Sequence, residues 1–298
     1  MTQAKEFHSG FVAIVGRPNV GKSTLLNALV GEKIAIVSNK PQTTRNRMMG
    51  IMSRENAQIV FVDTPGIHKA RTKLGQFMAT SINEAMEGID GLMVLVDVTA
   101  IGNQDQKIIE AMAMRKGYKL LVLNKIDLIA PMEILAVIDR FKDLGYDAIL
   151  PISARTQGGV DVLQDCLLSN MPKGPKYFPD DMLTDQPERV LCAEIIREKA
   201  LRNLRDEVPH GVGIEMMAMT KENDHFMKID ATIYCERDSH KGIIIGKKGS
   251  MLQKIGQEAR LDIERLLDMH INLQLFIKVR PDWRNSIQDL RTLGYSQK

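Results

Sequence analysis

The sequence Gly16-Arg-Pro-Asn-Val-Gly-Lys22-Ser23 matches the pattern GxxxxGK[ST]. It follows the apolar run Phe11–Val15 and leads into Ser23–Val30, whose apolar residues are spaced as in a helix. Glycines let a backbone curl around phosphate oxygens, and the N–H groups at a helix N-terminus supply positive potential. In this strand–loop–helix setting the pattern predicts a phosphate-binding loop.

Short apolar runs and amphipathic stretches alternate through the first 170 residues. The later runs, bounded by Gly, Pro, Asp or Asn, are Ile59–Val62, Leu92–Val96, Leu120–Leu123 and Ala148–Ile152. Helical patterns such as Gln104–Arg115 and Met132–Leu144 lie between most of them. This alternation predicts an α/β fold, a doubly wound and mostly parallel sheet with helices on both faces.

The composition is that of an ordinary globular protein: 298 residues, 44% hydrophobic, 26% charged and a formal net charge of +3. It excludes a disordered chain and a small disulfide-stapled domain. No apolar run approaches the ~20 residues of a membrane-spanning helix. The three cysteines form no CxxC pair, which disfavours a zinc site, and the polar N-terminus has no signal-peptide core. We therefore expect a cytoplasmic chain of two domains.

A proline-rich, charged segment without periodicity follows residue 172. We predict a linker over 173–188 between a first domain, 1–172, and a second, 189–298. In the second domain Ala193–Leu204 has the pattern of a helix, and Met227–Cys235 alternates with the period of a half-buried strand. The order of patterns, α-β-β-α-α-β, predicts a small α+β domain.

The phosphate-binding loop assigns specific roles. Lys22 is placed to reach the β- and γ-phosphates, and Ser23 to ligate Mg²⁺. Asp63, which ends an apolar run, is expected to bind Mg²⁺ through water, and the N–H of Gly66 to meet the γ-phosphate. The other residues expected to line the nucleotide in these two loops are Gly16, Arg17, Pro18, Asn19, Val20, Gly21, Thr24, Thr64 and Pro65.

Two further loops point to guanine as the base. Asp127, in Asn124-Lys125-Ile126-Asp127, can accept two hydrogen bonds from guanine N1 and N2, whereas adenine would leave the carboxylate unpaired. Asn124 is expected to brace this loop and Lys125 to lie along the base. In Ser153-Ala154-Arg155, the Ala154 N–H is expected to contact guanine O6.

Together these residues resemble the five signature loops of the translation-factor-like GTPases, over Phe11 to about Pro172. The resemblance implies that GTP or GDP binds at the carboxyl ends of the strands. It also implies a first switch in Pro41–Arg47, where Thr44 would ligate Mg²⁺ and Thr43 remains the alternative, and a second switch in Asp63–Lys73.

The position after Gly66 holds Ile67, which cannot orient a water molecule as the glutamine of Ras-like proteins does. The resemblance therefore implies that hydrolysis needs a further element. In related GTPases with GxPNxGKS, the asparagine that matches Asn19 can ligate a potassium ion bridging the phosphates. A hydrogen bond that only stabilises the loop is the alternative role of Asn19. The predicted catalytic set is Lys22, Thr44, Asp63, Gly66 and Asn19.

The second domain carries Gly246-Lys-Lys-Gly249 between two helical stretches. It fits the GxxG loop of KH domains, which clamps the backbone of about four single-stranded nucleotides, and the element order is that of the type II KH fold. From Arg237 to Arg260 there are six basic and two acidic residues, which favours phosphate contact. The expected RNA-binding residues are Lys241, Ile245, Gly246, Lys247, Lys248, Gly249 and Lys254.

A GTPase domain followed by a type II KH domain resembles the Era family along the whole chain. The resemblance implies binding to the 3′ end of 16S ribosomal RNA, a role in maturation of the small ribosomal subunit, a monomer and peripheral association with the membrane. Two alternatives stay open at this point. One is an RNA chaperone in which the nucleotide is mainly structural, and the other is a GTPase that gates RNA modification.

Overall fold

A computed structural model describes residues 6–38, 40, 43–67 and 72–295 of the chain. These form two compact units. The first contains Met1–Ala35, Thr44–His68 and Ala79–Asp185, and the second contains Ile36–Thr43, Lys69–Met78 and Gln186–Lys298. Two short segments from the first third of the sequence therefore belong to the second unit by their contacts.

The first unit is built on a six-stranded sheet with strand order β2-β3-β1-β4-β5-β6. All neighbouring strands run parallel except β2, which is antiparallel to β3 at the edge. The strands are β1 His8–Val15, β2 Met48–Arg54, β3 Ala57–Asp63, β4 Gly91–Asp97, β5 Tyr118–Asn124 and β6 Ala148–Pro151. The predicted α/β fold is confirmed, and the central strand β4 is buried along its whole length.

Helices follow the strands as the alternation predicts. They are α1 Lys22–Val30, α2 Lys73–Ala85, α3 Asn103–Ala113, α4 Pro131–Phe141 and α5 Val160–Asn170. Because β1, β3, β4, β5 and β6 are parallel, their carboxyl ends lie along one edge of the sheet. The loops after these strands carry the polar residues that the sequence analysis singled out.

The second unit has a three-stranded sheet, β7-β8-β9, with β7 antiparallel and β9 parallel to β8. Its elements are α6 Glu188–Asn203, β7 Gly213–Asn223, β8 Phe226–Cys235, α7 Asp238–Ile245, α8 Ser250–Leu267, β9 His270–Val279 and α9 Ile287–Thr292. This is the predicted α-β-β-α-α-β order with one short helix added. Apolar side chains of one sheet face, α6 and α8 form the core, among them Ile196, Ile233 and Ile263.

The segment predicted as a linker over 173–188 is bound along the first unit as far as Asp185. The Ser9 hydroxyl donates to the Pro175 carbonyl over 2.6 Å, and the Ile51 N–H donates to the Leu183 carbonyl over 2.8 Å. The prolines keep this segment from forming a regular strand, and separate hydrogen bonds to strand residues hold it instead. Helix α6 begins at Glu188, five residues before the predicted start at Ala193.

The chain beyond β9 closes over part of the second unit. Trp283 is fully buried with Leu74, Met78 and Tyr295, and its indole N–H donates to the Gly211 carbonyl over 2.9 Å. Helix α9 begins only at Ile287, because Ser286 is extended and caps the helix by accepting from the Asp289 N–H. Within the described residues, no helix is long and apolar enough to cross a membrane.

Ile263→Ala tests the core of the second unit. The Ile263 side chain is fully buried on α8, so its truncation leaves a cavity and should lower the free energy of unfolding by about 2–5 kcal/mol. Leu261 on the same helix is 48% exposed, and Leu261→Ala should cost about 0.5 kcal/mol or less. Urea unfolding followed by the fluorescence of Trp283, the one tryptophan in the sequence, measures both. Equal losses in the two variants would contradict this assignment of the core face.

Candidate functional site

The predicted phosphate-binding loop lies between β1 and α1, and α1 begins at Lys22 with Gly21 as its N-cap. The N–H groups in the first turn of a helix have no partner within the helix, so they are available to phosphate oxygens. Asn124, from the end of β5, donates its side-chain amide to the Val20 carbonyl over 2.8 Å. This hydrogen bond fixes the loop from the base side of the predicted site.

Lys22 lies almost buried against the same loop. Its Nζ donates to the Gly16 carbonyl over 3.1 Å and to the Arg17 carbonyl over 2.9 Å. Burial lowers the pKa of Lys22 to about 8, against the opposing effect of the Asp63 carboxylate. The ammonium group is thus held within the loop, where a phosphate oxygen can replace or share these carbonyl contacts.

Three oxygen-bearing side chains meet beside Lys22. The Ser23 hydroxyl lies 2.8 Å from the Thr44 hydroxyl and donates to Asp63 Oδ2 over 3.0 Å, and Thr44 Oγ1 lies 3.4 Å from the same oxygen. Asp63 is fully buried, and its Oδ1 has no hydrogen-bond partner among the described residues. Burial raises the pKa of Asp63 to about 6, although Lys22, Ser23 and Thr44 act in the opposite direction.

This donor set fits Mg²⁺, which prefers carboxylate and hydroxyl oxygens and keeps several waters. The arrangement also separates the two candidate threonines. Thr44 places its hydroxyl at Ser23 and Asp63, whereas the Thr43 hydroxyl donates to the Lys40 carbonyl over 2.6 Å. Of the two predicted switches, Pro41, Gln42 and 68–71 lie outside the described residues.

The loop after β3 passes directly over the phosphate-binding loop. A Cβ on Gly66 would lie 2.7 Å from the Pro18 nitrogen, so only glycine allows this approach. Next to it, the Ile67 N–H donates to the Gly16 carbonyl over 3.1 Å. The Thr64 hydroxyl donates to the Ile14 carbonyl over 2.8 Å, which anchors the loop to β1. The predicted γ-phosphate contact, the Gly66 N–H, is therefore held close to Lys22's loop.

The predicted base site is connected to the phosphate-binding loop by side-chain hydrogen bonds. Asn124 Oδ1 accepts from the Ala154 N–H over 2.9 Å. Lys125, in the left-handed conformation, donates from Nζ to the Asn19 carbonyl over 3.0 Å. Asn19 itself is exposed and has a positive φ of 66°. These contacts bring the residues predicted for base and phosphate binding to one edge of the sheet.

Asp127 projects at the outer end of the base site. Its Oδ1 accepts from the Ser153 hydroxyl over 2.6 Å, and its Oδ2 accepts from the Arg155 guanidinium over 2.8 Å. The Ser153 hydrogen bond, with Arg155 assisting, lowers the pKa of Asp127. The carboxylate is thus charged at neutral pH, as recognition of guanine N1 and N2 requires.

Two acidic residues that support the site were not predicted. Asp97, at the end of β4, accepts from Lys125 and, over 2.7 Å, from the Thr99 hydroxyl. Burial acts to raise the pKa of Asp97, but the hydrogen bonds from Lys125 and Thr99 outweigh it and lower the pKa. Asp105 receives Arg17 Nε over 2.6 Å, which directs this loop arginine toward α3. Asp97 could have been predicted from the sequence, because it directly follows the apolar run Leu92–Val96.

The GxxG loop lies in the second unit between α7 and α8. Gly246 has a φ of 72°, and a Cβ there would lie 2.7 Å from Met251 Cβ, so this close turn requires glycine. Lys247 and Lys248 are exposed, and Lys248 is in the left-handed conformation. Ile244 is fully buried in the core, whereas Ile243 is 49% exposed and Ile245 is partly exposed, so alternate isoleucines border the loop. Lys241 and Lys254 retain partial or full exposure.

Comparisons with known proteins agree with both predicted domains. A family model for the 50S ribosome-binding GTPases matches residues 11–125, and a KH domain model matches residues 207–284. GTPase Era of Ruminiclostridium cellulolyticum is 53% identical over 97% of this chain and 98% of its own length. GTPase Era of Clostridioides difficile is 52% identical over 98% of this chain and its whole length.

Two solved structures of Era also match this chain over nearly its whole length. A crystal structure of Era in complex with MgGDPNP and nucleotides 1506–1542 of 16S ribosomal RNA covers 98% of this chain and all of its own, with a TM-score of 0.92 and 39% identity. A variant of Era from Aquifex aeolicus bound to GDP·AlF4⁻ has the same coverage and TM-score at 38% identity.

Asp127→Asn tests the predicted base site. An amide has one acceptor oxygen and one donor nitrogen, so GDP affinity should fall by about 100-fold or more, because one charge-assisted hydrogen bond is lost and the amide N–H faces a guanine donor. Titration with a fluorescent GDP analogue measures this. Asp139→Asn, an exposed carboxylate on α4 that pairs only with Lys142 in the described contacts, is the matched control and should bind GDP normally. Unchanged GDP affinity in Asp127→Asn would remove Asp127 from the base site.

Proposed function

Because the chain belongs to the Era family of GTPases, we propose that it is a GTP-dependent switch that binds the 3′ end of 16S ribosomal RNA and assists maturation of the small ribosomal subunit. The main support for a switch is that the side chains of Ser23, Thr44 and Asp63 contact one another beside Lys22. A hydroxyl from the predicted first switch there allows the nucleotide state to control the switch conformation.

At the nucleotide, each residue has a separate task. Lys22 and the N–H groups of the phosphate-binding loop neutralise charge on the β- and γ-phosphates, and the Gly66 N–H contacts the γ-phosphate. Ser23 and Thr44 would ligate Mg²⁺ directly, and Asp63 would hold it through water. The metal ion, when bound, neutralises the charge that develops between the two phosphates. Asn124, Lys125 and Asp127 hold the guanine base, whereas the Ala154 N–H, expected to contact guanine O6, donates to Asn124 Oδ1 in the structure and would have to exchange that partner to reach the base.

The second switch has no glutamine directly after Gly66 to orient the attacking water, so hydrolysis needs another group to stabilise the transition state. Ile67 follows Gly66, and its side chain has no group that can position water. Asn19 is exposed at the tip of the phosphate-binding loop, with its carbonyl bound to Lys125. The position of Asn19 within the phosphate-binding loop supports the proposal that a potassium ion binds there during turnover.

GTP turnover in potassium chloride and in sodium chloride at equal ionic strength tests this role of Asn19. The parent chain should hydrolyse GTP at least about tenfold faster in potassium, because a bound cation supplies charge that an arginine finger supplies in other GTPases. An arginine finger raises the rate by about 10³–10⁵, so a tenfold increase needs only part of its effect. Asn19→Ala should remove the difference and keep its GDP affinity. Equal rates of the parent in the two salts would eliminate the potassium proposal and leave Asn19 a loop-stabilising residue.

RNA binding is assigned to the GxxG loop and its flanks. Exposed Lys247 and Lys248 lie at the helix junction, where glycines permit close approach of a phosphate backbone. The partly exposed Ile243 and Ile245 offer an apolar surface beside the loop for unstacked bases. This supports recognition of single-stranded RNA rather than of a duplex, whose bases are stacked inside.

The double substitution Lys247→Glu/Lys248→Glu tests the RNA site. Binding of a short RNA from the 3′ end of 16S ribosomal RNA should be lost, and two single Ala variants should each reduce the salt slope of log affinity by about 0.7. Lys221→Glu/Lys228→Glu, on strands β7 and β8 of the same unit, makes the same charge change and should bind almost normally. Equal loss in both double variants would mean that only overall charge matters, and the GxxG assignment would be wrong.

Peripheral membrane association and a monomeric state remain predictions. The six basic residues between Arg237 and Arg260 would be attracted to anionic headgroups within a Debye length. Co-sedimentation with anionic and with neutral vesicles separates this attraction from absence of binding, and light scattering at two concentrations gives the oligomeric state.

A further inference from the structure

The first turn of α3 carries an exposed amide, Gln104, and a buried carboxylate, Asp105. Neither residue belongs to the loops predicted to bind the nucleotide. The Asp105 side chain is 2% exposed, and a carboxylate so far removed from water requires partners for both of its oxygens. Its Oδ2 accepts from the Gly102 N–H over 2.8 Å, which caps α3, so its Oδ1 serves a partner outside the helix.

That partner is Arg17 of the phosphate-binding loop. Its Nε donates to Asp105 Oδ1 over 2.6 Å and its Nη2 to the Ala100 carbonyl over 2.8 Å, so the guanidinium is held at two points. The main chain of Arg17 is part of the nucleotide site, because its carbonyl accepts from Lys22 Nζ over 2.9 Å. Asp105 therefore fixes a residue whose backbone holds the phosphate-binding lysine.

The neighbouring residue of the same helical turn reaches the second switch. Gln104 Nε2 donates to the Ile67 carbonyl over 3.2 Å. The Ile67 N–H donates to the Gly16 carbonyl over 3.1 Å, and the Ile67 side chain packs against the apolar core of the first unit. The residue directly after Gly66 is thus held by the phosphate-binding loop on one side and by α3 on the other.

These contacts close a ring that lies entirely within the first unit. Hydrogen bonds join Gly16 to Ile67, Ile67 to Gln104 and Asp105 to Arg17, and the chain itself joins Gly16 to Arg17 and Gln104 to Asp105. Peptide units are rigid and hold consecutive Cα atoms about 3.8 Å apart, so a ring of this size restricts every member. The phosphate-binding loop and the second switch therefore share one support, the first turn of α3.

We propose that the first turn of α3 positions the phosphate-binding loop and the second switch for GTP hydrolysis. Asp105 acts on the loop through Arg17, and Gln104 acts on the switch through Ile67. Each is a positioning residue, because it acts through another residue rather than on the nucleotide. The inference rests on the proposed function of the nucleotide site, and it adds to that site a helix that none of the five signature loops includes.

The two contacts should affect different nucleotides. The phosphate-binding loop contacts phosphates that GDP and GTP share, and a loop that Arg17 no longer anchors must be ordered on binding, which weakens both nucleotides. The second switch contacts only the γ-phosphate, through the Gly66 N–H. Loosening Ile67 should therefore weaken GTP and leave GDP unchanged.

Asp105→Ala and Arg17→Met, alone and combined in the full-length chain, test the contact with the loop. Each single substitution should lower the affinities for a fluorescent GDP analogue and for a non-hydrolysable GTP analogue by about tenfold, the lower end of what a hydrogen bond between charged groups contributes. The double variant should lose no more than either single variant, because both substitutions remove one interaction. Additive losses would show that Asp105 does not act through Arg17.

Glu133→Ala is the matched control for the loss of a helix cap. Glu133 lies in the first turn of α4, and its Oε2 accepts from the Ala130 N–H over 2.8 Å, as Asp105 accepts from an N–H on α3. Its variant loses a capping contact of the same kind and should bind both nucleotides with parental affinity. Equal losses in Glu133→Ala and Asp105→Ala would mean that nucleotide binding reports only helix capping.

Gln104→Ala tests the contact with the second switch. The ratio of GTP-analogue affinity to GDP affinity should fall by about threefold or more, the effect of one neutral hydrogen bond, and the hydrolysis rate at saturating GTP should fall with it. Gln106→Ala is the control on the same helix, because the Gln106 amide contacts Glu110 and Arg140 and no loop of the site. An unchanged ratio in Gln104→Ala would remove the second switch from the inference.

Circular dichroism during thermal unfolding shows which variants are folded. Arg17→Met leaves the cap of α3 intact, so it tests the anchor even where Asp105→Ala does not fold. A parent chain that binds neither nucleotide would contradict the proposed function itself. A parent chain that binds and hydrolyses GTP, with Arg17→Met and Gln104→Ala indistinguishable from it, would overturn the positioning role of α3 alone.

Discussion

The buried carboxylate of Asp63 is the constraint on which the nucleotide site depends. A carboxylate without access to water requires partners, and here they come from two different parts of the sequence: Lys22 and Ser23 of the phosphate-binding loop, and Thr44. Strand order provides the meeting point, since β3 pairs directly with β1 and ends beside the loop that follows β1. Burial raises the pKa of Asp63 despite these partners, and a divalent cation bound there would favour the charged form.

Much of this site could be predicted from the sequence because of where its residues stand. Lys22, Asp63 and Asn124 each follow an apolar strand, and parallel strands bring such positions to one edge. The choice between Thr43 and Thr44 could not be predicted from residue chemistry, because two adjacent threonines offer the same hydroxyl. Only the backbone path, with Thr43 directed to Lys40, separates them.

The unpredicted features share a physical origin in long-range contacts. Strand β2, Met48–Arg54, begins with an apolar run interrupted by Gly50 that sequence reasoning did not single out, and its ladder pairs it with β3. Residues 173–185 resemble a linker in composition, yet their backbone groups are hydrogen-bonded to strands of the first unit. Arg197 resembles a solvated helix residue until the segment ending at Thr43 is seen to cover it. Tertiary contacts determine the structure of all three: β2, residues 173–185 and the surroundings of Arg197.

The proposed GTP-dependent switch requires that nucleotide and RNA share a coupling free energy in this chain, and reciprocity of binding gives its most direct test. The affinities for GDP and for a non-hydrolysable GTP analogue should be measured with and without a saturating single-stranded RNA from the 3′ end of 16S ribosomal RNA. The account predicts that RNA raises the affinity for the GTP analogue relative to GDP by about fivefold or more, the lower end of usual coupling. An unchanged ratio of the two affinities would contradict it, and the chain would then bind RNA and nucleotide independently.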